Sequence, residues 1–127
     1  MKYMLLIYYD EKVLEKVGKA EEAHIESECL KHCEELGKEG KFLGGNRLHS
    51  VSTATSVRAK DGKAFITDGP FAETREQLGG YCIIDAKNLD EAIAFTSHMP
   101  QLRLGTVEIR PVMEFGLAEA ALKKSAS

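Results

Sequence analysis

The chain has 127 residues, a length suited to one domain with its own core. Its 17 Lys and Arg against 20 Asp and Glu give a net charge of −3 with no basic cluster, which excludes an electrostatic footprint for nucleic acid or an anionic membrane surface. No apolar run approaches a membrane span, and three cysteines, an odd number without a disulfide framework, read as reduced thiols of a cytoplasmic protein.

In chain order, Lys2 to Tyr9 is a strand rather than a signal peptide. Tyr3, Leu5, Ile7 and Tyr9 point one way and Met4, Leu6 and Tyr8 the other, so both faces are apolar. Asp10 to Lys19 reads as a charged loop or loose helical turn broken near Gly18. Ala20 to Glu39 is a helix with Ile25, Cys29, Leu36 and either His32 or Cys33 on its inner stripe, Leu30 beside it, and Gly40 as its C-terminal cap. Phe42-Leu43 is a short strand before a Gly44-Gly45-Asn46 turn, and Ser50 to Ser56 is a polar loop. Ser56 to Lys60 and Lys63 to Thr67 alternate around Asp61-Gly62, the signature of a hairpin. Gly80 to Ala86 is a second strand apolar on both faces, and Gly79-Gly80 marks a bulge or a close approach. Asn88 caps a second helix, with Glu91 three residues on. Leu89, Ala92, Ile93, Thr96 and Met99 form its inner stripe, and Pro100 ends it. Thr106 to Val112 is the last strand, and Leu117 to Ser127 is a tail.

This order, two βαβ-like halves with an inserted hairpin, predicts an α+β domain over residues 1–116 followed by a tail over 117–127. Two helices would lie on one face of an antiparallel, ferredoxin-like sheet. Helices cover only one face, yet two strands are apolar on both. A second copy of the sheet is the simplest cover, so the expected assembly is a homodimer, a dimeric α+β barrel.

The densest chemistry lies between Asp68 and Tyr81. Asp68-Gly69-Pro70-Phe71 is a turn signal, followed by Glu73, Arg75, Glu76 and Gln77. Asp68 reads either as a general acid or base in a half-buried site or as a cap on the backbone N–H groups of residues 70–71. Phe71, Glu73 and Arg75 are candidates for substrate contact, Arg75 through a bidentate carboxylate pair; Glu73, Arg75 and Glu76 read equally as a salt-bridged loop fixing the approach to the strand or as a dimer contact. Arg110 either holds an anionic substrate group or pairs with a carboxylate such as Glu73. His49 either forms a His–Asp pair with Asp68 or is an exposed loop residue. Cys29, His32 and Cys33 share a helix, but no second Cys/His pair accompanies them. They read as structural, with a nucleophilic Cys29 as the other reading and no metal site. No cofactor motif is present.

Three blocks then resemble the YCII-related superfamily in its Asp-Gly-Pro-Phe (DGPF-domain) branch: residues 1–8, Thr67 to Tyr81, and Val107 to Phe115. The resemblance implies the same α+β fold and dimer. Distant members look like small lyases or isomerases acting on ring compounds, with a proposed His–Asp pair whose Asp would correspond to Asp68. Cys29 falls near the position expected for the His. The resemblance therefore implies a domain that binds or converts a small polar or ring-shaped metabolite by acid–base chemistry. The alternative it offers is a non-catalytic ligand-sensing or protein-interaction module linked to transcription initiation, consistent with a sigma-factor label in the family.

Overall fold

The computed structural model describes residues 1–114 and Lys124, so the expected tail lies outside the described residues except for Lys124. Among residues 1–114, six strands and two α-helices run in the order β1 (Lys2–Tyr9), α1 (Glu11–Lys38), β2 (Phe42–Arg47), β3 (Thr55–Lys60), β4 (Lys63–Asp68), β5 (Gln77–Asp85), α2 (Leu89–Thr96) and β6 (Gly105–Pro111). Four strands form one antiparallel sheet in the order β2-β5-β1-β6, the ferredoxin-like order, and β3-β4 is a separate ribbon. Among the described residues no helix is long and apolar enough to cross a membrane.

The alternation in β1 decides where the core sits. Tyr3, Leu5 and Ile7 are buried with Cys82 and Ile84 of β5 and with Ala92, Phe95 and Met99 from α2 and the segment after it. Val107 and Ile109 of β6 pack against the same cluster, whereas Glu108 and Arg110 are exposed. On the other face Met4, Leu6 and Tyr8 of β1 and Tyr81 and Ile83 of β5 are only half-buried, and no described helix lies over them.

Several boundaries differ from the sequence reading. The first helix begins at Glu11, not Ala20, because its end is capped twice. Asp10 accepts the Lys12 N–H at 3.0 Å, and Gln77 of β5 accepts the Glu11 N–H at 3.0 Å. The helix crosses Gly18 at φ 83°, a conformation cheap only for glycine, so the expected break is a kink within it. It ends as expected: Gly40 adopts φ 72° and the Lys41 N–H reaches back to the Leu36 carbonyl at 2.9 Å.

The second strand runs on through the glycines instead of turning at them. A side chain at Gly45 would come within 2.7 Å of Cys82 Cβ, so glycine there lets β2 lie against β5. β5 itself starts at Gln77, three residues early, and its register against β1 shifts between Ile7 and Tyr8, the irregularity expected at Gly79-Gly80.

The hairpin turns at Asp61-Gly62 with both residues at positive φ. Asn88 accepts the Glu91 N–H at 3.0 Å, but the Glu91 carboxylate pairs with Lys41 at 3.3 Å rather than returning to the cap. The buried face of α2 is Ala92, Phe95 and Thr96; Leu89 and Ile93 are exposed, because Phe95 turns in to stack on His32 of α1. The helix stops at Thr96, and Pro100 opens a short 3-10 turn, Pro100–Arg103, instead of closing α2.

Candidate functional site

Between α1 and the sheet lies a cleft of about 300 Å³. Ile7 and Tyr9 of β1, Ile25 and Cys29 of α1 and Gln101 of the 3-10 turn are among its walls. The strand pattern explains the hollow. Gly45, Gly79 and Gly80 put no side chains into it, and a side chain at Gly79 would come within 2.7 Å of the Tyr9 ring. A second hollow of about 470 Å³ adjoins it and shares Tyr9, Leu14, Glu22, Arg47 and Gly79. At their common edge Arg47 of β2 pairs with Glu22 and, at 3.5 Å, with Glu26, both on α1. Burial pushes the Tyr9 phenol up to about 12, which the nearby Arg47 only partly opposes, so the phenol is neutral near pH 7. Its hydroxyl has no hydrogen-bond partner among the described residues.

Cys29 and Cys33 stand one helical turn apart with their sulfurs at 4.0 Å, and both border the cleft. Gln101 Nε2 donates to Cys29 Sγ at 2.8 Å. Only Cys29 has that second donor, so it is the thiol that ionises first. The bond from Cys33 and then that from Gln101 lower it to about 6 against the opposition of burial, while Cys33 is pushed up and remains the donor. Burial raises Cys82 to about 12. His32 takes no part: its ring stacks on Phe95 at 4.5 Å, and its Nε2 lies 3.3 Å from the Phe95 carbonyl.

The titratable groups around Cys29 are Cys33 and Glu26 on α1, Cys82 on β5 and Tyr9 on β1. Alkylation of Cys29 by iodoacetamide should therefore rise through about pH 6 rather than through its ordinary 9.0, as read by peptide mapping across pH. A midpoint near 9 would contradict the assigned donors. The linkage has a definite sign. The folded chain releases this proton earlier than the unfolded one, so the contribution to stability is complete above pH 9 and is lost as pH falls through about 6.

The residues singled out in the sequence are dispersed. Asp68 ends β4 opposite Thr55 of β3 and is exposed, and its side chain makes no hydrogen bond or ion pair to a described residue; it does not cap residues 70–71. His49 borders the second hollow with Glu11 and Gln77, and no bond joins it to Asp68. Phe71 is 77% exposed, and its carbonyl accepts from Arg58 at 3.4 Å. Glu73 and Arg75 are exposed, and the loop is tied down through its backbone, with Gln77 Nε2 donating to the Thr74 and Arg75 carbonyls. Arg110 sits on the open sheet face opposite Met4 and pairs with no described carboxylate, Glu73 included. Tyr9, Glu22, Arg47 and Gln101 were not singled out. Gln101 is separated from Cys29 by 72 positions, and nothing local marks it.

Comparison with known proteins matches the family model described as YCII-related domain to residues 1–116. An uncharacterized protein of Rhizobium meliloti (strain 1021) is 33% identical over 114 residues, covering 88% of this chain and 92% of that protein. Among solved structures, a 5-chloro-2-hydroxyhydroquinone dehydrochlorinase from Burkholderia phenoliruptrix AC1100, in complex with 2,5-dihydroxybenzoquinone, superposes with a TM-score of 0.52 at 13% identity, covering 91% of this chain and 96% of that one. The likeness to that enzyme is one of fold.

Proposed function

The chain belongs to the YCII-related domain family, and from that premise we propose that it binds and converts a small polar ring compound in the cleft between α1 and the sheet. One observation carries the reading: a largely apolar cleft is lined by Tyr9, whose hydroxyl is uncommitted, and by Gln101, whose Oε1 is buried without a partner among the described residues, with charged Arg47 at its rim. A hydroxylated ring fits that set. Its faces meet Ile7 and Ile25, a carbonyl or enolate oxygen accepts from the neutral Tyr9, and a ring hydroxyl donates to Gln101. Such a donor and acceptor suit proton transfer of the lyase or isomerase kind. The dehydrochlorinase complex, which holds a ring of this class on a similar fold, supports it.

Finer elements belong to the same proposal. Asp68-Gly69-Pro70-Phe71 supports placement in the DGPF branch, and the unpaired thiols support a cytoplasmic setting. The half-buried apolar face of β1 and β5 supports a homodimer with sheets face to face. Catalysis by Asp68 with His49, and substrate contact through Phe71, Glu73, Arg75 and Arg110, require that second copy. In one chain the Asp68 loop borders neither hollow.

Calorimetric titration with ring diols and hydroxyquinones tests the reading. Tyr9→Phe should weaken binding about fivefold, the worth of one hydrogen bond of about 1 kcal/mol, without lowering the melting temperature. Titrations flat for the wild type would sink the proposal. They would favour the second reading, a ligand-sensing or protein-interaction module linked to transcription initiation. One observation supports that reading: Glu73 and Arg75 lie exposed, as are Val57, Phe65 and Ile66 on the bare hairpin.

A further inference from the structure

We propose that Cys29 is a nucleophile, adding its sulfur to an electrophilic ring carbon of a hydroxyquinone or related conjugated enone in the cleft while Gln101 Oε1 accepts a hydroxyl of the ring. The inference rests on the cleft reading and names its substrate class and reacting group. Two independent features point to it. The first is the thiol pair: Cys29 lines the cleft with its sulfur held by two donors, Cys33 at 4.0 Å and Gln101 at 2.8 Å. The second is Gln101 itself. It is 94% buried, lines the same cleft, and spends its amide N–H on Cys29, yet its Oε1 has no partner among the described residues. A buried acceptor left open costs free energy, and a donor on a bound ring would satisfy it. One side chain thus holds the sulfur and reads the ligand beside it.

The step balances without an oxidant or reductant. The sulfur lone pair forms a C–S bond to the carbon β to a ring carbonyl, and the C=C π pair moves through the α-carbon to the carbonyl oxygen. The proton originally on the thiol ends on that enolate, delivered by Cys33 or the Tyr9 hydroxyl and recovered from solvent. From a quinone, loss of the ring C–H proton at the carbon bearing sulfur and protonation of the second carbonyl oxygen then complete the sulfur-substituted hydroquinone, whereas from an enone that cannot become aromatic, removal of the first proton reverses the addition. The lowered ionisation of Cys29 agrees with the role, since the thiolate is the reactive form.

The test exposes wild type, Cys29→Ser, Cys33→Ser and Gln101→Leu to one equivalent of para-benzoquinone, alone and with excess resorcinol, a ring diol that cannot add covalently. Peptide mapping by mass spectrometry locates the adduct and its rate. Expected is one adduct at Cys29, formed roughly tenfold or more faster than on free cysteine near pH 7. Resorcinol should slow it, and Cys33→Ser should keep it at Cys29. Gln101→Leu should slow it severalfold with an unchanged circular dichroism spectrum.

First labelling at Cys33 or Cys82, or a Cys29 rate no greater than that of free cysteine, would overturn the inference. If resorcinol still raised the melting temperature in that case, the cleft reading would stand without the covalent step. If resorcinol neither stabilised nor protected, the cleft reading would fail with it. Fast labelling at Cys29 without protection would also overturn the inference, because the adduct would owe nothing to a bound ring.

Discussion

Replacing Leu5 by alanine should cost about 3 kcal/mol of folding stability and lower the melting temperature by roughly 10 °C. Leu5 is fully buried at the centre of the sheet, opposite Cys82 on one side and Ile109 on the other. Deleting its branched end leaves a cavity among strands that are hydrogen-bonded on both sides and cannot close in to fill it. Urea unfolding at fixed chain concentration measures the loss. A cost below about 1 kcal/mol would mean that the core packs less tightly around β1 than its burial implies.

Leu6→Glu, one residue further on, should act on assembly instead. Leu6 points to the open face, between Glu108 of β6 and Tyr81 of β5, and is half-buried in a single chain. Folding of one chain gains little from it, so the variant should keep its circular dichroism spectrum. In a face-to-face dimer, however, the new carboxylate would be buried without a partner, at a cost of several kcal/mol. Dissociation should strengthen about a hundredfold or more, and sedimentation equilibrium at micromolar concentration should show the mass fall from twice that of the chain to once. A wild type that sediments as a single chain, or a variant that still pairs, would reject the proposed homodimer.

These two leucines show how far periodicity reaches. Alternation along β1 shows that Leu5 and Leu6 face opposite ways, since successive strand residues must. It does not say which face receives the helices. Tyr3, Leu5 and Ile7 are the buried set because α2 and Met99 pack there, a matter of topology. The helix start is another case. Val13, Leu14 and Val17 carry the helical spacing, but Gly18 interrupts it, and Gln77, 66 positions away, supplies part of the cap at Glu11.

The sequence by itself determined the elements whose causes are local. The Asp61-Gly62 turn, the Asn88 cap, the Gly40 terminus and the two-faced strands all arise between residues a few positions apart, so the residue types announce them. The order of those elements then restricts the fold to a four-stranded antiparallel sheet carrying two helices. Only the tertiary structure decided the site. It left the Asp68 side chain exposed without a partner among the described residues, drew Glu22 to Arg47, and brought Gln101 to Cys29 across 72 positions. Residue types show that a carboxylate, an amide or a thiol can do chemistry. Which of them share a cleft depends on long-range approach, and no spacing along the chain encodes that.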